Sequence, residues 1–108
     1  MVKRPGQATK SSASGRPVMV LLEALGKRWA LRVIWELSNN NPCTFRELQS
    51  LCEEVSPTSL NNRLKDLRQL GLVELTSHGY ALTNYGRSLS DLLLPLDRWA
   101  NDWADWLA

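Results

Sequence analysis

One histidine, His78, and two cysteines, Cys43 and Cys52, are all that the chain holds of the usual metal-ligating and nucleophilic side chains apart from its hydroxyls and carboxylates. With no CxxC pair and no second histidine, the N and S ligands of a zinc site are missing, and no metal is expected. If the segment between the cysteines is helical, they stand roughly 13 Å apart along its axis. A disulfide needs Cα atoms within about 7 Å. Two small buried or half-buried thiols are the plain reading, and a redox-sensing thiol is the alternative. Hydrolytic or redox catalysis needs a nucleophile–base pair, a metal cluster or a cofactor loop. The carboxylates are scattered and no glycine-rich phosphate loop occurs, so neither catalytic residues nor a cofactor is expected.

A different chemistry is concentrated between Ser56 and Gln69. Projected as a helix at 100° per residue from Leu60, the leucines Leu64 and Leu67 fall within about 40° of the origin and form a core-facing stripe. Thr58, Asn62, Lys65 and Gln69 cluster on the opposite side, with Asn61 and Arg68 on one flank and Ser59 and Arg63 on the other. Such a face suits the major groove of double-stranded DNA. Asn or Gln can bond bidentately to adenine, Arg or Lys to guanine, and the Thr methyl can meet that of thymine. The helix start, with Ser56 and Ser59, is a natural phosphate site. Arg63 lies near the core edge, where a salt bridge to a carboxylate such as Glu47 competes with a phosphate contact. Arg46 could reach phosphate from the preceding helix, and His78 could touch one from a turn.

The elements that must position these residues can be read in order. Pro17 suits the first turn of a helix carrying Val18, Leu21, Leu22 and Leu25, which Gly26 ends. A second helix places Ala30, Val33, Ile34 and Leu37 on one face and stops at Asn39-Asn40-Asn41-Pro42. Thr44-Phe45-Arg46-Glu47 reads as a capping box opening a short third helix to about Cys52, with Phe45, Leu48 and Leu51 inward. After a polar turn at Glu53-Glu54-Val55, Ser56-Pro57 starts a fourth helix that Gly71 terminates near Leu70. Leu72–Thr76 and Tyr80–Thr83 are strand-like runs around Ser77-His78-Gly79, a small hairpin. A final long helix begins near Thr83 or Asn84, with a kink expected at Pro95. This order predicts a mainly α winged helix-turn-helix with a small β-hairpin and a long C-terminal dimerisation helix.

In that last helix Leu89, Leu92, Leu96, Trp99, Trp103 and Trp106 recur at alternating spacings of 3 and 4, a coiled-coil-like seam. So many large apolar groups on one small domain point to an interface, and a homodimer is expected, with Met19 and Leu22 of the first helix contributing. The alternative is a helix folded wholly over its own core. Two recognition helices in a dimer would read half-sites about one turn, roughly 34 Å, apart on a palindromic operator.

At 108 residues the chain fits one folded domain, residues 17–108, behind a disordered tail at 1–16. The formal charge is +2, but the tail holds Lys3, Arg4, Lys10 and Arg16 with no acid, so the rest carries nine basic and eleven acidic side chains. Bulk charge therefore makes no case for nucleic acid, and the argument rests on local arrangement. The basic tail could follow phosphates or be a solvated leader. No apolar run approaches a membrane span or a signal peptide, and a cytoplasmic protein is expected.

Arg16-Pro17-Val18, Leu25-Gly26-Lys27-Arg28-Trp29, Phe45-Arg46-Glu47-Leu48, Ser56-Pro57 with Leu60, Arg63-Leu64 and Leu67, Gly71-Leu72-Val73, and Leu82-Thr83-Asn84-Tyr85-Gly86-Arg87 resemble the HxlR-type transcriptional regulators. The resemblance runs from Pro17 to Trp106. It implies a prokaryotic winged-helix regulator, dimerised through its first and last helices and without enzyme activity. Two departures stand out. The position that often holds a sensing cysteine in the family is Arg16, and the family's longer, Arg-bearing wing is reduced to Ser77-His78-Gly79. Two other readings stay open: a winged helix used only for protein contacts, suggested by the near-neutral recognition region, and a regulator taking a small ligand between the dimer's tryptophans. The sequence specifies no effector.

Overall fold

The computed structural model describes residues 2–8 and 15–108 of the chain. The part of the expected disordered tail at 9–14, Lys10 included, lies outside the described residues. Residues 2–8 are described, and Val2 is buried beside Val20 and Ala24 of the first helix.

Local signals account for most of the element boundaries. Helix α1, Pro17–Leu25, has proline in its first turn, and Gly26 N–H closes it on Leu22 O at 2.9 Å. Helix α2, Ala30–Asn39, has no side-chain cap; Trp29 precedes it in a left-handed conformation (φ 75°), with the Arg28 guanidinium 5.6 Å from its ring centre. Helix α3, Phe45–Leu51, is opened by the full capping box: Thr44 Oγ1 accepts from Glu47 N–H at 3.1 Å, and Thr44 N–H donates to Glu47 Oε1 at 3.0 Å. Helix α4, Pro57–Gln69, starts on Ser56, whose hydroxyl accepts from Ser59 N–H at 3.1 Å. It ends in a Schellman closure, Gly71 N–H to Arg68 O and Leu72 N–H to Leu67 O, with Gly71 at φ 73°.

Leu72 thus belongs to the helix closure, and strand β1 is Val73–Thr76. It pairs antiparallel with β2, Gly79–Leu82, in the register Val73↔Leu82 to Thr76↔Gly79. Thr83 is not a strand residue but the cap of helix α5, Asn84–Leu107, accepting from Gly86 N–H at 3.1 Å. Where the sequence suggests a kink at Pro95, α5 continues unbroken through it. The missing proline N–H leaves the Asp91 carbonyl without its usual helical donor.

The core is built from one face of each element. Val33, Ile34 and Leu37 of α2, Leu48 of α3, and Leu60, Leu64 and Leu67 of α4 are buried, and Leu89 and Leu93 of α5 pack against them. Both cysteines are free and belong to this core. Cys43 also bridges to the hairpin in β fashion: its N–H donates to Tyr80 O at 2.9 Å, and its carbonyl accepts from Tyr80 N–H at 2.7 Å.

Candidate nucleic-acid interface

The turn between α3 and α4 sets the angle of α4. Glu53 and Glu54 both take left-handed conformations (φ 57° and 56°), a backbone cost that surrounding contacts must offset. Glu54 N–H donates to Gln49 O at 2.9 Å, and Gln49 Nε2 reaches over the turn to Val55 O at 3.0 Å. Val55 is not part of a polar surface turn. It is buried in the core and anchors the turn from below. From α2, Arg32 donates to Leu51 O at 2.8 Å, pairs with Glu36 at 2.7 Å and approaches Glu53 at 3.9 Å.

Helix α4 presents the expected two faces. Leu60, Leu64 and Leu67 are buried. Thr58, Asn61, Asn62, Lys65 and Arg68 are exposed together on the outward side. Ser56 is exposed and Ser59 half-buried, and their hydroxyls are 2.9 Å apart, so each already serves the helix cap. Arg46 is exposed on α3.

Arg63 does not meet Glu47. Its guanidinium pairs with Asp66, one turn further on, at 3.4 Å, and Asp66 also receives Lys27 at 3.4 Å. Glu47 is instead held by the capping box, where the Thr44 N–H keeps its carboxyl below the usual carboxylate range. The near-neutral charge of the region is therefore unevenly spent. Asp66 and Glu47 are engaged within the protein and Glu53 only approaches Arg32 while 74% exposed, whereas Arg46, Lys65 and Arg68, like Glu54, make no ion pair among the described residues.

A groove between α4 and β1 brings Lys65, Arg68 and Gln69 beside Glu74 and the exposed Leu75. The contribution of Glu74 and Leu75 was not legible in the sequence, because only the register of the hairpin puts them there. The tip of the hairpin is Ser77-His78. His78 is exposed, its N–H bonded to Thr76 Oγ1 at 3.1 Å and its Nδ1 3.1 Å from Ser77 Oγ.

On α5 the hydrophobic seam divides. Leu89 is half-buried and turned to the core. Leu92, Leu96, Trp99, Trp103 and Trp106 stay between 49% and 80% exposed. Trp99 and Trp103 stack with ring centres 6.0 Å apart. On α1, Leu22 is exposed and Met19 half-buried. Burial holds both thiols above their ordinary pKa, Cys52 at about 11. Among the described residues no helix is long and apolar enough to cross a membrane, and no cluster of side chains could hold a metal ion.

This arrangement has close counterparts. The quinone-bound YodB of Bacillus subtilis superposes with a TM-score of 0.74 at 30% identity, covering 79% of this chain and 96% of that one. A possible HxlR family transcriptional factor from Thermoplasma volcanium gives 0.70 at 32% identity, covering 79% and 82%. In sequence, the HTH-type transcriptional regulator YvaP of Bacillus subtilis is 29% identical over 91 residues, which is 78% of this chain and 83% of the relative. The family model described as HxlR-like helix-turn-helix matches residues 24–107, and with a winged helix-turn-helix carrying a long C-terminal helix the chain belongs to the HxlR-type family of transcriptional regulators.

Proposed function

We propose that the protein binds a palindromic operator as a homodimer and regulates transcription there without enzymatic activity. The observation that carries this reading is the outward face of α4, where Thr58, Asn61 and Asn62 stand ahead of the unpaired Lys65 and Arg68. Short hydrogen-bonding side chains at the N-terminal end can meet base edges, and cations further along can meet the flanking phosphates. Arg46 adds a phosphate contact from α3. His78 is placed to touch the backbone but brings no minor-groove cation. Arg63, held by Asp66, acts mainly to fix the helix.

Dimerisation rests on the exposed part of the α5 seam. At roughly 150–250 Å² per aromatic side chain, its three tryptophans alone leave on the order of 400 Å² of apolar surface in water. Leu92 and Leu96, with Leu22 and Met19 of α1, extend the patch; Leu89 supports it from the core side.

Fluorescence anisotropy with labelled duplex from upstream of the protein's own gene, beside a scrambled duplex and at two salt concentrations, tests the proposal. Tight binding that prefers the upstream duplex and weakens with salt is the expected result, because phosphate contacts release counterions. Absence of binding to either duplex, from a folded dimer at low salt, would favour the protein-contact reading instead.

A further inference from the structure

Away from the recognition helix, α2, β2 and α5 enclose a cleft whose walls include the indole of Trp35 and the side chain of Leu94, with the buried Leu82 of β2 between them in the fold. Trp35 and Leu94 are 37% and 47% exposed, so both keep apolar surface in water. The cleft is also lined by a cation and a carboxylate, Arg87 and Asp91, one turn apart on α5. Neither side chain makes an ion pair among the described residues. A cation preceding a carboxylate by four residues is the weaker order for pairing along a helix. On the α2 side, Asn39 donates its amide to Trp35 O at 3.3 Å, which leaves its side-chain carbonyl as a free acceptor.

This cleft is separate from the dimer seam. At 100° per residue, Arg87, Asp91 and Leu94 point roughly 130° away from the mean direction of Leu92, Leu96, Trp99, Trp103 and Trp106.

We propose that the cleft binds a small aromatic zwitterion, of the aromatic amino-acid class. A ligand carrying only a carboxylate would pair with Arg87 and leave Asp91 desolvated and repelling it; a simple amine would do the converse at Arg87. A head group bearing both charges satisfies the two side chains together, its ammonium finding a second acceptor in Asn39. The ring then lies against Trp35 and Leu94, where stacking on the indole adds to apolar burial.

Calorimetric titration of the whole chain with L-phenylalanine, phenylpropanoate, phenethylamine and L-alanine tests this directly, with no DNA in the cell. Phenylalanine should bind saturably, and each analogue lacking the ammonium, the carboxylate or the ring should bind at least about tenfold more weakly, the loss expected for one unmade charged contact or one unfilled ring. Arg87→Met and Asp91→Asn should each weaken phenylalanine binding at least about tenfold, while Arg98→Met, outside the cleft on the same helix, should leave it unchanged. All three positions are exposed, and circular dichroism verifies their folds. No heat from phenylalanine at millimolar concentration would overturn the proposal. So would equal binding of phenylpropanoate or phenethylamine, or wild-type affinity in both cleft variants.

Discussion

Gly86→Ala should destabilise the chain, against the usual sign of such a change inside a helix. Replacing glycine by alanine ordinarily stabilises a helix by about 1 kcal/mol. Gly86, however, is buried in the first turn of α5 against the end of α4. A Cβ there would sit 2.0 Å from Leu72 O and 3.1 Å from Leu72 C. Ordinary contact begins at 3.4 Å, so α5 or the Leu72 carbonyl must retreat by about 1.4 Å. That carbonyl also accepts from Thr83 N–H at 3.1 Å. Overpacking costs typically about 1–3 kcal/mol, and disturbing a buried backbone acceptor about 1–3 kcal/mol more. After the helix gain is subtracted, the net loss should be about 1–5 kcal/mol. At fixed protein concentration this lowers the thermal midpoint by roughly 5–30 °C. Urea unfolding followed by circular dichroism measures it, with Ser88→Ala on the exposed side of the same helix expected to stay within about 0.5 kcal/mol of wild type. A Gly86→Ala protein as stable as wild type would refute the close approach of α5 to Leu72.

Further outcomes can be checked. Trp103→Glu should turn a dimer into a folded monomer by sedimentation, since it puts a charge among stacked indoles; a stable dimer that still binds DNA would contradict the role given to α5. Asn62→Ala should cost about 1–3 kcal/mol at one base position, and Lys65→Ala should weaken binding to all sequences and lower the salt slope by about one, both read by anisotropy. Glu47 has a folded pKa below its usual 4.5, so its stabilising contribution is complete above that pH and is lost as pH falls through the lowered value. Glu47→Gln should therefore be the less stable protein near neutrality and converge on wild type in acid. Cys43 and Cys52, both buried, with Cys52 held at about pKa 11, should not react with a thiol reagent at pH 8 in the folded chain but should react fully in denaturant.

The parts of the fold that were legible in the sequence are those with local causes. The Thr44–Glu47 box, the Ser56-Pro57 start, the Gly71 stop and the leucine stripe of α4 each act within a few residues, and each is where its spacing puts it. Long-range choices were not legible. Asp66, rather than Glu47, holds Arg63, because the capping box engages Glu47 first and Lys27 brings a second cation to Asp66. Leu89 shares its spacing with the tryptophans yet turns to the core, because the first half of α5 lies over that core and the second half does not. The left-handed Glu53 and Glu54 and the bridge from Cys43 to Tyr80 carry no composition signal at all.

That bridge confines any change in wing length to the turn beyond it. The hairpin is fastened to Cys43 through the N–H and the carbonyl of Tyr80, one residue pair in from the turn, and a Cβ on Gly79 would lie 2.6 Å from Cys43 O, so nothing can be enlarged there cheaply. The exposed Ser77-His78 tip is under no such restraint. The hairpin can be lengthened or trimmed at that one point without moving α4. Grafting a longer, arginine-bearing tip between Thr76 and Gly79 is then the natural route to giving the hairpin a minor-groove contact.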